Sequence, residues 1–327
     1  MLRWGSLGGG LLVAFLTGGC VTAEGRQTSA TDAATGPPAA ISQPSAQHVL
    51  GTFNQITRQA DRDRDLAALA RVETGAALAA HTARLRLTPA GRAVPHVEIT
   101  PHLAIPRLIG YPKWFMAGAL RPGSGPGWVA VFEQRDAGGP WRATSVTYHD
   151  HPLPRLATEG GNAVAVAADD HAVRVPPGKL ADRHAARVVR GVRATAGLFA
   201  DHRTTSGLAR TLTEDRRFFS RHGWAGEEHA ADADSTAFAL RTEAGEAIVW
   251  YSLRVTDQFT NRAHRYRVAL KPAPARLLGK RWVTRQVRLE WRYAVAALVP
   301  VQDREPPDPA PVRVLGGSVS LVRAAGN

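Results

Sequence analysis

Twice along this chain, apolar residues at helical spacing are followed by a run of short alternating segments, and that order narrows the possible folds more than any other feature. In residues 47–62, Val49, Leu50, Phe53, Ile56 and Ala60 lie on one helical face. The charged stretch 61–65 interrupts it, and Asp65 is placed to cap a shorter helix carrying Leu66 and Leu69. Residues 76–81 add one more turn. Strands are expected at 83–88, 96–105, 111–120, 128–135 and 141–149, with a hairpin turn at 136–139. The order then returns: helices at 187–202 and 207–212, then strands at 235–242, 247–256, 264–271, 282–299 and 312–322. Residues 282–299 alternate well, with Val283, Val287, Leu289, Trp291, Tyr293 and Val295 on one face and Arg285 as the exception on that side. The implied class is α+β: two tandem units, each with N-terminal helices packed on a curved antiparallel sheet. The units are expected at 46–155 and 182–327, joined by a proline-bearing linker at 156–181 whose Val-Ala run, 163–168, is able to add a strand.

The chain has one cysteine, Cys20. It therefore forms no internal disulfide and builds no cysteine-based zinc site. Arg3, the apolar residues 8–16 and the small pair Gly18-Gly19 precede it in the order of an export signal, 1–19. The apolar run is far short of the roughly 20 residues that span a bilayer as a helix. Leu16-Thr17-Gly18-Gly19-Cys20 resembles a bacterial lipobox, which implies acylation of Cys20 and a lipid bilayer as the first partner. Residues 20–45 hold few large apolar side chains and read as a disordered tether to the first folded unit.

A helix, a second helix and a strongly curved sheet resemble the cone-shaped fold of the nuclear transport factor 2 superfamily. Two such units behind a lipobox resemble a family of uncharacterised lipoproteins of actinobacteria. The resemblance is carried by residues 16–20, by 69–78 (LARVETGAAL), by 110–115 (GYPKWF) and by 312–316 (VRVLG). It implies a fold and an extracytoplasmic, membrane-anchored location, without an assigned activity.

No catalytic set stands out. Glu98 is expected to face water, Glu133 ends a strand beside a hairpin, and Glu290 sits among arginines that account for it. Trp114 and Phe115, with Tyr111, read as core aromatics. His149 and His151, two apart on a strand, point the same way and are weak metal candidates, sharpened only if His81, His96 or His102 came within ligand distance. Residues 123–127 lack the Lys-Ser or Lys-Thr of a phosphate loop, and no nucleophile elbow or His-Glu-x-x-His helix occurs. No metal and no cofactor are expected.

The charge is the remaining signal. The net charge is +13, and all basic residues but Lys113, Lys179, Lys271 and Lys280 are arginine. Between Arg262 and Arg292 there is one acid, Glu290. Arg265, Arg267, Arg288 and Arg292 are the candidate contacts to an anionic partner, either lipid headgroups or cell-wall polymer. Nucleic acid is not expected, because no recognition motif is present. These readings point to a non-catalytic binding or interaction lipoprotein, with an extracytoplasmic enzyme or an envelope assembly factor as the rivals.

Overall fold

The computed structural model describes residues 36–121, 125–233, 236–262, 266–302 and 310–327. The export signal, Cys20, most of the tether and Arg265 lie outside them. From Pro37 to Asn327 the chain is one compact unit, and it is packed before residue 46: the Ala40 N–H donates to Pro106 O at 2.8 Å.

Helix α1 (Gln43–Asp63) starts at Ser42, whose hydroxyl accepts the Ser45 N–H, and buries the stripe Ala46, Leu50, Phe53, Thr57, Ala60 and Asp61. It ends at Arg64, held at φ 55°, whose guanidinium donates to the carbonyls of Leu85, Thr88, Pro89 and Arg92. Asp65 caps α2 (Leu66–Val72) as expected, accepting the Ala67 and Ala68 N–H groups. Helix α3 (Gly75–Leu87) includes most of residues 83–88, expected as a strand. The alanine-rich run before them has the highest helix propensity available, and Ala83 and Leu85 continue its buried face.

The strands are β1 (Leu103–Ala104), β2 (Lys113–Gly118), β3 (Gly127–Gln134), β4 (Arg142–His149), β5 (Thr158–Glu159) and β6 (Asn162–Ala163), and, after helices α4 (Pro177–Arg190) and α5 (Leu208–Arg221), β7 (Ala225–Ala233), β8 (Phe238–Arg241), β9 (Ala247–Thr260), β10 (Val268–Ala269), β11 (Trp282–Val283), β12 (Gln286–Val299) and β13 (Arg313–Gly326). A short helix, α6 (Pro272–Leu278), lies between β10 and β11. Where two separate sheets were expected, one antiparallel sheet runs through both halves in the order β1-β2-β3-β4-β13-β12-β9-β7, with β8 also on β9. The halves meet where Gly316 of β13 pairs with His149 of β4. A Cβ at Gly316 would stand 2.1 Å from Tyr148 O, so only glycine allows this approach.

The sheet bends back on itself. Trp114, Met116, Val129 and Val131 of β2 and β3 share a core with Phe238, Leu240, Ile248 and Trp250 of β8 and β9. The opposite face of β2 and β3, with Phe115 and Phe132, is covered by α1. The other face of β9 and β12 is covered by α4 and α5. The centre of the sheet is therefore buried on both sides, which is why the start of β9 (247–251) and the second half of β12 read as continuous apolar runs.

Several expected elements differ: the strand at 96–105 is reduced to β1 and, among the described residues, that at 264–271 to β10, and two others move. The helix placed at 187–202 is α4, which begins ten residues earlier and stops at Gly191, φ 86°. Pro177 opens its first turn, where a missing N–H costs nothing, so the pair Pro176-Pro177 starts a helix inside the expected linker. The strand 282–299 breaks at Thr284 and Arg285, whose N–H groups donate to Asn327 O, and Arg285 was the residue out of alternation.

Candidate functional site

Four polar side chains are gathered beneath the helical layer of the first half. Asp61 comes from the last turn of α1, Glu73 from the end of α2, His81 from the middle of α3 and His96 from the segment after α3. Local pairing sets each one. The Glu73 N–H donates to Leu69 O and the Thr74 N–H to Ala143 O, which pins the α2–α3 junction to β4. Asn54 exchanges two hydrogen bonds with the backbone of Ile99, which fixes the segment carrying His96 against α1.

His81 Nε2–H donates to Asp61 Oδ1 at 2.7 Å and Nδ1–H to Glu73 Oε1 at 2.8 Å. His96 Nδ1–H donates to Asp61 Oδ2 at 2.7 Å, and Arg84 approaches Asp61 Oδ1 at 3.4 Å. A carboxylate that is ionised only accepts, so facing two of them both His81 nitrogens donate and the ring carries the positive charge that they stabilise. Burial opposes that charge, but the hydrogen bonds to Asp61 and Glu73 outweigh it and hold the His81 pKa above its usual value. Burial likewise opposes the Asp61 carboxylate, and the hydrogen bonds from His81 and His96 reverse the effect and lower its pKa.

Part of this group borders a cavity of about 440 Å³. Glu73, His81 and Arg84 face it together with Phe53, Val97, Trp128, Val146, Trp291 and Leu321, so α1 and α3 close it on one side and β3, β4, β12 and β13 on the other. Among the described residues, Glu73 Oε2, Arg84 Nε and His96 Nε2 are buried without a hydrogen-bond partner. Asp61, by contrast, has three donors. The unfilled capacity that faces the cavity is therefore on Glu73 and Arg84, while His96 Nε2 lies off the cavity lining.

The residues singled out in sequence fall elsewhere. His149 is enclosed in the sheet core, where the Trp250 indole N–H reaches its Nε2 at 3.4 Å, and burial pushes its pKa down to about 4. His151 is exposed on the following turn, so the two do not converge. His81 and His96 do come together, but around Asp61 rather than His149. Among the described residues, no group of three or more His, Cys, Asp or Glu is arranged to hold a metal ion. Glu98 pairs with Arg58 at the surface and Glu290 with Arg292. Glu133 is buried at the end of β3, with Arg135 at 3.3 Å. Tyr111 is exposed, whereas Trp114 and Phe115 are core. Of the candidate anionic contacts, Arg267 and Arg288 are exposed. Arg292 pairs with Glu290 and is partly buried, on the same face of β12 as Arg288.

A second polar group, His184 with Tyr251, is fully enclosed under α4. His184 Nε2–H donates to Thr204 O at 2.6 Å while Nδ1 accepts the Tyr251 hydroxyl at 2.9 Å, and burial holds its pKa at about 4. Beside it, Arg187 donates to Thr195 O and to Ser206 Oγ. These bonds satisfy the irregular backbone of 192–207 against α4.

A family described as a domain of unknown function (DUF8094) matches residues 37–326. The chain belongs to that family. The DUF8094 match runs from before α1 into the last residues of β13, so the cavity and its charged wall both lie within it. An uncharacterized lipoprotein of Streptomyces avermitilis is 30% identical over 217 residues, 62% of this chain and 61% of the relative. Another, of Streptomyces coelicolor, is 30% identical over 227 residues, 66% and 67% of the two chains. The chain thus spans about three fifths of the Streptomyces avermitilis relative's length. No solved structure matches it. No helix among the described residues is long and apolar enough to cross a membrane.

Proposed function

We propose that this DUF8094 protein is a lipid-anchored, extracytoplasmic lipoprotein that binds a small amphiphile in the 440 Å³ cavity. The observation that carries the reading is the unpartnered Glu73 Oε2 in the wall of an apolar enclosure. A buried carboxylate oxygen without a donor is costly, and a ligand supplying an N–H or O–H removes that cost while its apolar body fills the cavity. The volume lies within the usual range for small-molecule sites, about 300–1,000 Å³. The anchor rests on residues 16–20 and on the naming of both Streptomyces relatives as lipoproteins.

Binding is favoured over catalysis by the two histidines of the cluster. His96, whose Nε2 has no partner among the described residues, does not line the cavity, and His81, which does, has both nitrogens engaged. With both ring nitrogens donating to carboxylates it has no lone pair with which to abstract a proton.

Native mass spectrometry of residues 21–327, secreted from a related host, tests this. Extra mass that disappears on denaturation is expected, absent in Ala80→Trp, which fills the cavity. With the released compound added back, Glu73→Gln should bind on the order of tenfold more weakly. A bare mass for the parent protein, or conversion of the bound compound, overturns the reading. Cys20→Ser should move the protein from the membrane fraction to the medium.

A further inference from the structure

The antiparallel pair β9–β12 is joined by residues 261–285, and this connection contains no Asp or Glu. Its described, exposed cations include Arg267, Lys271, Arg276, Lys280, Arg281 and Arg285. Such a run of like charge commonly belongs to a loose loop, but here it is built into a folded end. Val268 and Val283, paired across β10 and β11, are buried with Trp224, Phe259 and Val287. The Asn261 amide donates to Tyr266 O and Thr284 O at 2.8 Å each, and the Trp224 indole N–H also donates to Tyr266 O. Arg276 of α6 donates to Leu87 O, tying this end to α3.

Two aromatic rings are left outside that small core. Tyr266 is 60% exposed and Trp282 45% exposed, with the Arg267 guanidinium 4.5 Å from the Trp282 ring centroid. A purely solvated basic face has no use for an exposed Trp and Tyr. An interface between water and lipid does, because each ring has an apolar body and a polar edge, while the cations beside them meet headgroup phosphates.

We propose that this basic, aromatic end is a docking surface for an anionic lipid bilayer, separate from the acylated cysteine. Charge complementarity selects the anionic surface, and the exposed rings select a bilayer over a water-soluble polyanion. The surface does not depend on the cavity or its ligand, although α6, inside this segment, places Ala273 on the cavity wall. An amphiphile leaving a docked membrane would meet the cavity there.

Co-sedimentation of residues 21–327, without acyl chains, with vesicles of phosphatidylcholine alone or mixed with phosphatidylglycerol tests the proposal. Binding is expected only to the mixed vesicles and to fall steeply between about 0.05 M and about 0.5 M salt. Replacing Arg267, Lys280, Arg281 and Arg285 by Gln should weaken it at least about 100-fold. Trp282→Ala should weaken it several-fold at fixed salt. Equal binding to both vesicle types, or a fourfold Gln variant that binds like the parent, overturns the proposal. So does equal competition by soluble poly(glycerol phosphate) with no effect of Trp282→Ala, which would assign the surface to polymer. The comparisons of lipid and salt use the unaltered sequence and stand even if a variant fails to fold.

Discussion

His81 and the pair His149 and His184 respond to pH in opposite directions, because their surroundings differ. His81 sits between two carboxylates and its folded pKa is raised, so its contribution is complete below about 6.5 and is lost as pH rises through the folded value. His149 and His184 are enclosed without a carboxylate partner and fall to about 4. The unfolded chain then binds more protons between pH 6.5 and about 4, so stability falls as pH falls through that window. Stability is therefore expected to peak near pH 6.5. Urea unfolding at pH 4.5 and 6.5 should show the acid loss reduced by on the order of 2 kcal/mol in His149→Gln. An unchanged difference would mean that His149 is solvated. None of this was legible from the residues themselves. His149 and His151 share a strand face by periodicity, yet burial at the junction of β4 and β13 decides that one is neutral and enclosed while the other is in water. Glu73 stood inside the stretch 69–78 that carries the family resemblance, and nothing local marks it as more than a helix end.

At the scale of elements, patterning succeeded where apolar runs are bounded by turn residues, and failed where alanine dominates, where proline opens a helix or where pairing alone sets a strand. The cap of α2 and strands β2, β3, β4, β8 and β9 follow from capping residues and from apolar runs bounded by turns. Strand β7, with the sequence AGEEHAADA, has little intrinsic preference for a strand and is set by pairing with β9. Helix α4 starts earlier than its apolar spacing indicates, because Pro176-Pro177 marks a linker in sequence while proline is most at ease in a first helical turn. Gly316, in the family stretch 312–316, carries the junction of the two halves. Gly316→Ala should force β13 away from β4 and cost about 3 kcal/mol or more, seen as a lowered Tm and faster amide exchange at residues 145–149. Exchange unchanged at β4 would show that the strands part without consequence.

For the whole molecule, one sheet with cores on both sides makes the halves interdependent. The cavity has walls from α1 and α3 of the first half and from β12 and β13 of the second. A single cooperative transition is expected in calorimetry of residues 21–327, with calorimetric and van't Hoff enthalpies agreeing. Two resolved transitions would mean that β4 and β13 separate before either core melts. The sequence by itself determined the class α+β, most of the long strands, the basic 262–292 region and the lipobox-like start. Each depends on local spacing, local charge or short-range order, which a chain carries without its fold. Tertiary structure alone decided that the two halves share one sheet, that Asp61, Glu73, His81 and His96 meet, and that Glu73 keeps an unpartnered oxygen beside an apolar cavity. Those facts depend on contacts between residues far apart in the chain, where the free energy of burial and pairing is settled by which surfaces meet and not by what lies next in sequence.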